Sequence, residues 1–200
     1  MNRKIRAVLF SLALTCALSV PALAATHTVA PGDTLWRIAA SYQVGTSELI
    51  AANPQLRDPN RIYPGDVLTI PTLSASVRAN EREVVRLVNA ERARYGLAAL
   101  TEDWELSRVA RYKAQDMRDR HYFDHTSPTY GSPFDMIRAF GLHYRSAGEN
   151  IAYGYRTPES VVQAWMTSSG HRANILNASY TRIGVGYVAS GNYWVQHFIG

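Results

Sequence analysis

Two hydrophobic periods divide the chain. Between residues 33 and 52, apolar positions recur at helical spacing: Leu35, Ile38 and Ala39, then Leu49, Ile50 and Ala52. On either side, residues 26–29 and 66–70 read as short strands, so the predicted order is strand, helix, helix, strand. Asp33 is placed to cap the first helix and Thr46 the second. Asn53-Pro54 ends the second, because a residue before proline avoids the helical region. Pro31-Gly32 and Pro64-Gly65 mark turns before the first helix and the last strand. Trp36 lies between Leu35 and Ala39 and is assigned, with Leu35 and Ile62, to the core. His27 is assigned to the strand surface.

The helical pattern restarts at Asn80 and runs to about Tyr95, with Val84, Leu87 and Val88 at helical spacing and Gly96 as a stop. Thr101 is expected to cap a second helix with an apolar stripe of Leu106, Val109, Ala110 and Met117. Glu102, Asp103 and Glu105 lie in its first turns and Arg118 and Arg120 at its end, both favourable with the helix dipole. Ser132-Pro133 and Thr157-Pro158 open two more helices. Gly141 ends the first of these; Val161, Val162 and Trp165 line the second, with Glu159 as a dipole-complementing acid. The tail changes period: Ile183, Val185 and Tyr187 alternate, Ser190-Gly191 turns, and Tyr193, Val195, His197 and Ile199 alternate again, a β-hairpin. Helices first and strands last predict an α+β fold with helices on an antiparallel sheet.

Residues 1–24 read as a secretory signal peptide: Arg3, Lys4 and Arg6, an apolar run over 8–20, then Pro21 and an Ala22-Leu23-Ala24 cleavage pattern. No later run approaches the ~18 apolar residues of a membrane span, so none is expected after cleavage. The remaining chain divides into residues 25–72, a linker at 73–78, and residues 79–200. Of 21 basic residues three lie in the leader, leaving 18 against 16 acids, a net charge of +2. That excess is too small for a nucleic-acid partner. The one cysteine, Cys16, is also in the leader. The mature chain therefore has no disulfide, no thiol nucleophile and no thiolate metal site, which suits an exported bacterial surface protein.

Residues 29–39 (Val-Ala-Pro-Gly-Asp-Thr-Leu-Trp-Arg-Ile-Ala), Ala52-Asn53-Pro54 and residues 62–71 (Ile-Tyr-Pro-Gly-Asp-Val-Leu-Thr-Ile-Pro) resemble the LysM family. The resemblance implies a βααβ module that binds N-acetylglucosamine-containing glycans, in bacteria usually peptidoglycan. It places the sugar in a shallow groove between two loops, here residues 32–35 and 60–63. Gly32, Asp33, Thr34, Leu35, Ile62 and Tyr63 are the candidate contacts. Backbone groups of the two turns can bond an acetamido group while Leu35 or Ile62 packs on its methyl.

The histidines concentrate in the second part of the chain. His121 and His125 are four apart, but Tyr122 stands where a zinc peptidase needs glutamate, and no G-x-S-x-G occurs. Ser168 and Ser169 near His171 read as a polar helix end. Five segments resemble the CAP superfamily in its bacterial secreted branch: Val88-Asn89-Ala90-Glu91-Arg92 with Gly96-Leu97, residues 122–128, residues 148–152, residues 165–172, and residues 183–187. The resemblance implies a three-layer α-β-α sandwich. It also implies a cleft gathering two histidines and two acids, which fall on His125, Glu149, His171 and, in place of the second acid, Ser168. His121, His143 and His197 match no such position and are assigned to surface or sheet.

A secreted, cell-wall-associated protein is thus expected. Its LysM module binds peptidoglycan or another N-acetylglucosamine-containing glycan, and its CAP cleft faces a ligand that the resemblance does not name. The alternative is a peptidoglycan-modifying or metal-dependent hydrolase working in that cleft. A glycosidase needs a second carboxylate across a groove, and Glu149 has no evident one. No cofactor is required. Zinc or another divalent cation has a candidate set in His125, His171 and Glu149, three ligands plus water, which Ser168 leaves weaker than a four-ligand set.

Overall fold

The computed structural model describes residues 25–200; the predicted leader lies outside the described residues. The first unit follows the expected order: β1 (Ala25–Thr28), α1 (Leu35–Ser41), α2 (Thr46–Ala51) and β2 (Val67–Ile70). The strands pair antiparallel from Ala25↔Ile70 to Thr28↔Val67. Leu35, Ile38, Ala39, Leu49, Leu68 and Ile70 close a small core. Buried Asn53 ties it together. Its amide donates to the carbonyls of Leu49 and Thr69 and its oxygen accepts from Thr69 N–H, so one side chain joins α2 to β2.

Three local expectations are corrected. Thr34, not Asp33, caps α1 by accepting from Arg37 N–H, while the Asp33 carboxylate accepts from Ala30 N–H and contacts His27 Nε2. Gly45 precedes α2, and Thr46 is its first residue. Trp36 is not core: it is 68% exposed. Helix α1 is short and buries only Leu35, Ile38 and Ala39, so its i+1 position falls on the solvent side of the stripe. His27 is half-buried rather than free on the surface, held by Asp33 and Tyr42.

The second unit comprises α3 (Ala75–Arg94), β3 (Thr101–Glu102), α4 (Trp104–Asp119), α5 (Pro133–Ala139), β4 (Ala147–Tyr153), α6 (Pro158–Thr167), α7 (Ser169–Ile175), β5 (Arg182–Val188) and β6 (Tyr193–Ile199). The sheet order is β3-β5-β6-β4. Only the short β3–β5 pair is parallel; β5–β6 and β6–β4 are antiparallel. On one face Val84, Val88, Val161 and Trp165 of α3 and α6 meet Ile183, Val185, Trp194 and Phe198. On the other, Ala110, Ala114 and Met117 of α4 meet Ile151, Val188 and Val195. This is the three-layer α-β-α arrangement.

Helix α3 begins at Ala75 with Ser74 as its cap, so most of the expected linker is helix. Asp103, not Thr101, caps α4; Thr101 is drawn instead into β3. The caps at Ser132 and Thr157 are as expected, each in a capping box with proline next. Three elements, β3, β4 and α7, go beyond what the sequence pattern predicts. Arg108 of α4 reaches the first unit, making two bonds to Glu48 of α2 at 2.7 and 3.1 Å.

Alternation in β5 places Gly184 and Gly186 on the α4 face. A Cβ at Gly184 would collide with the backbone of Leu106 and Ser107, and one at Gly186 with that of Ala110 and Arg111. The two glycines set how closely α4 lies on the sheet. Gly184→Ala therefore overpacks the contact and should lower unfolding stability by roughly 1–3 kcal/mol in urea titration. An unchanged midpoint would show that α4 can move outward freely.

Candidate functional site

Glu149 sits on the edge strand β4, and register places it opposite His197 of β6. Strand alternation turns both side chains to the α4 face. Both are buried. A buried carboxylate is costly unless its oxygens are bonded, and here each has a partner. His125 Nδ1 lies 2.6 Å from Oε1 and His197 Nε2 lies 2.9 Å from Oε2. An ionised carboxylate only accepts, so both ring nitrogens donate. His197 then carries its hydrogen on Nε2. Its Nδ1 is buried without a hydrogen-bond partner.

His125 is carried by the loop after α4, and α4 holds that loop. Asp116 accepts from Tyr122 Oη, Ser127 Oγ and Thr129 Oγ1 at 2.6–2.7 Å. Buried Lys113 donates to the His125 carbonyl at 2.7 Å. Burial pulls the Lys113 ammonium below its ordinary range, against the opposing charges of Glu149 and Asp116. Burial would raise the Glu149 carboxyl, but the bonds from His125 and His197 and the Lys113 charge prevail and hold it below its ordinary value. His125 is shifted the other way: its bond to Glu149 raises it despite partial burial.

Glu149 and its neighbour Asn150 serve opposite faces of the sheet. The Asn150 amide donates to the His171 carbonyl and to Gln196 Oε1, and its oxygen accepts from Asn174. This anchors α7, where His171 lies. His171 therefore approaches β4 from the far side. It makes no side-chain hydrogen bond to Glu149, although it is near enough to His125 for that residue's charge to add to burial in lowering its pKa. Ser168, at the α6–α7 junction, makes no capping bond. With His171 it lines a cleft of about 340 Å³ beside β4. The sequence thus anticipates His125, Glu149, His171 and Ser168 around one strand edge, but it misses His197. That residue's role depends on cross-strand register, which local sequence does not display.

Among the described residues no group of three or more His, Cys, Asp or Glu side chains is disposed to hold a metal ion. Both Glu149 oxygens are taken by imidazoles, and His171 makes no side-chain hydrogen bond to Glu149. What the site offers instead is a carboxylate-oriented imidazole, His125, with half of its side chain in solvent. Such a group can accept a proton or bind a polar ligand.

The segments flanking the candidate glycan loops are tied together, because Val29 N–H donates to the Asp66 carbonyl and Gly65 N–H to the Val29 carbonyl. Leu35 and half-buried Ile62 pack into the core, leaving little of either for a ligand. Asp33 and Thr34 are committed to the turn and the helix cap. Gly32 is exposed at φ +88°, and its carbonyl accepts from Arg37 Nη1, which leaves its N–H for a ligand. Tyr63 is 61% exposed and borders a groove of about 470 Å³ shared with Gln55, Arg57 and Arg61. Exposed Trp36 follows the first loop directly and is the contact candidate that periodicity assigns to the core.

Residues 85–198 match the cysteine-rich secretory protein family, CAP, and residues 27–71 match the LysM domain. The chain is 60% identical over 132 residues to the uncharacterized protein YkwD of Bacillus subtilis (strain 168), covering 66% of this chain and 51% of that one. It is 37% identical over 57 residues to the secreted LysM effector ECP6 of Passalora fulva, covering 28% and 25%. The chain thus spans about half the length, or less, of these curated relatives. Among solved structures, an extracellular protein containing an SCP domain from Bacillus anthracis str. Ames superposes with a TM-score of 0.60 at 32% identity, over 68% of this chain and 47% of that one. An outer surface protein from Borrelia burgdorferi, at 20% identity and a TM-score of 0.57 over 64% and 95%, shares the fold.

The His125–Glu149 pair has a defined pH signature. The glutamate contribution is complete above its ordinary value of 4.5 and is lost as pH falls through its lowered folded value. The histidine contribution is complete below 6.5 and is lost as pH rises through its raised folded value. The pair is therefore intact between about pH 4.5 and 6.5. Glu149→Gln should move the His125 titration midpoint down when followed by NMR; an unmoved midpoint would mean that the carboxylate does not hold the ring.

Proposed function

The chain belongs to the cysteine-rich secretory protein (CAP) family and carries a LysM domain ahead of that region, and from this premise we propose that it is an exported cell-envelope protein. Its LysM domain holds it on peptidoglycan through N-acetylglucosamine, and its CAP cleft presents His171 and Ser168 to a ligand, with His125, oriented by buried Glu149, as the other exposed imidazole. The observation that carries this reading is the LysM match itself. Supporting it, the segments flanking the two turn loops are hydrogen-bonded to each other, and aromatic surface at Tyr63 and Trp36 is open to a sugar. No helix among the described residues is long and apolar enough to cross a membrane.

A second reading, hydrolysis of wall material in the CAP cleft, draws on one observation. An exposed imidazole oriented by a buried carboxylate is the arrangement of a general base. Among the described residues no second acid faces Glu149, and the serine nearest His171 has no base bonded to it, so binding remains the better-supported role.

Both readings meet in one experiment. Full-length protein should sediment with insoluble peptidoglycan. Tyr63→Ala and Gly32→Val, which remove an exposed ring and strain a left-handed turn, should each reduce the bound fraction several-fold, whereas His125→Ala should not. Failure of the wild type to sediment would refute the proposed peptidoglycan binding. Soluble fragments in mass spectrometry that vanish with His125→Ala would replace the binding role of the cleft with hydrolysis.

A further inference from the structure

The cleft beside β4 has a composition that narrows its ligand. Its wall is aromatic and open: Phe123 is 51% exposed, Tyr153 57% and Tyr155 39%. The Phe123 and Tyr153 rings lie 6.2 Å apart, and Tyr193 extends the strip at 5.1 Å from Tyr153. Among the described residues, the other polar side chains on the lining are Ser168 and His171, and no Asp, Glu, Lys or Arg belongs to it. The platform is rigid from behind. Trp165 Nε1 donates to the Ile151 carbonyl and Trp194 Nε1 to the Tyr155 carbonyl.

Three classes of ligand fit poorly. An extended peptide would add to the free edge of β4, but the outward carbonyls of Glu149 and Ile151 are already taken by the Asn174 and Trp165 side chains. An anionic ligand finds no fixed cation on the lining. An acyl chain gains from complete enclosure, which rings so exposed do not provide. An uncharged sugar ring fits all three conditions. Its C–H faces can lie against aromatic rings, its hydroxyl and acetamido groups can bond serine, imidazole and tyrosine hydroxyls, and 340 Å³ is within the range of small-ligand sites, roughly 300–1,000 Å³.

We propose that the Phe123–Tyr153–Tyr155 wall, with Ser168 and His171, is a second saccharide site that takes an uncharged N-acetylated hexosamine unit. The choice of sugar rests on the LysM reading, since the polymer held by that domain places such units at the CAP surface. One chain then contacts the glycan twice, and simultaneous engagement raises avidity without any new contact.

The test is an NMR titration of ¹⁵N-labelled full-length protein with a soluble β-1,4-linked N-acetylglucosamine tetrasaccharide. Amides of Phe123, Tyr153 and Tyr155 should shift saturably, on a curve separate from that of residues 32–35 and 60–63. Phe123→Ala and Tyr153→Ala, at exposed positions where the spectrum itself reports folding, should each weaken the cleft curve about fivefold and leave the LysM curve in place. Shifts at the LysM loops alone would overturn the proposal. So would decanoate shifting the cleft amides where the sugar does not. Cleft shifts without LysM shifts would support the second site while refuting the LysM reading.

Discussion

A carboxylate buried on the edge strand organises the second unit. Glu149 is held in the protein interior, where an unpaired charge would not persist. Its needs are met by one imidazole fixed in the sheet, one carried by the loop after α4, and the charge of buried Lys113. Each partner ties down a different element. His197 belongs to β6, His125 to the loop, and Lys113 to α4, where it also grips the His125 carbonyl. Strand, loop and helix converge because one group demands it, and the same convergence leaves His125 oriented at the surface.

The following residue does the corresponding work on the other face. Asn150 binds Gln196 within the sheet, Asn174 of α7 and the His171 carbonyl. Gly148 precedes them where a side chain would meet Tyr180 and Asn174. Gly148-Glu149-Asn150 is thus a junction in which one position admits a close neighbour and the next two satisfy polar demands above and below the sheet. The edge is also closed to further strands, because Asn174 and Trp165 occupy the outward carbonyls of Glu149 and Ile151. Natural sheets protect exposed edges by such covering. Here the covering leaves a cleft rather than a flat rim.

Much of this is legible in the residues, and the exceptions have physical causes. The amphipathic helices and the final hairpin declare their periods, and Ser132-Pro133 and Thr157-Pro158 declare their helix starts. Three caps fall one or two residues away from their expected places, at Thr34, Gly45 and Asp103, since neighbouring Asp, Thr and Ser compete for the same role. β4 shows no strand period in the sequence. It is buried on both faces and carries Glu149 and Asn150, so it shows no alternation of apolar and polar residues. His197 reads as a sheet residue, but its partner is 48 positions away and is chosen by register. Periodicity puts Trp36 in the core because a short helix gives too few positions to define which side its stripe faces.

The central claim is that Glu149 is a buried carboxylate kept ionised by two imidazoles. It is tested most directly by the ¹³C chemical shift of the Glu149 side-chain carboxyl, followed from about pH 8 to about pH 3 in full-length protein. Burial alone would raise its titration above the ordinary value of 4.5, whereas the His125 and His197 bonds and the Lys113 charge lower it below that value. The account predicts a titration midpoint below 4.5. A titration centred above 4.5 would mean that desolvation prevails, and that the His125–Glu149–His197 arrangement is not the constraint that builds the site.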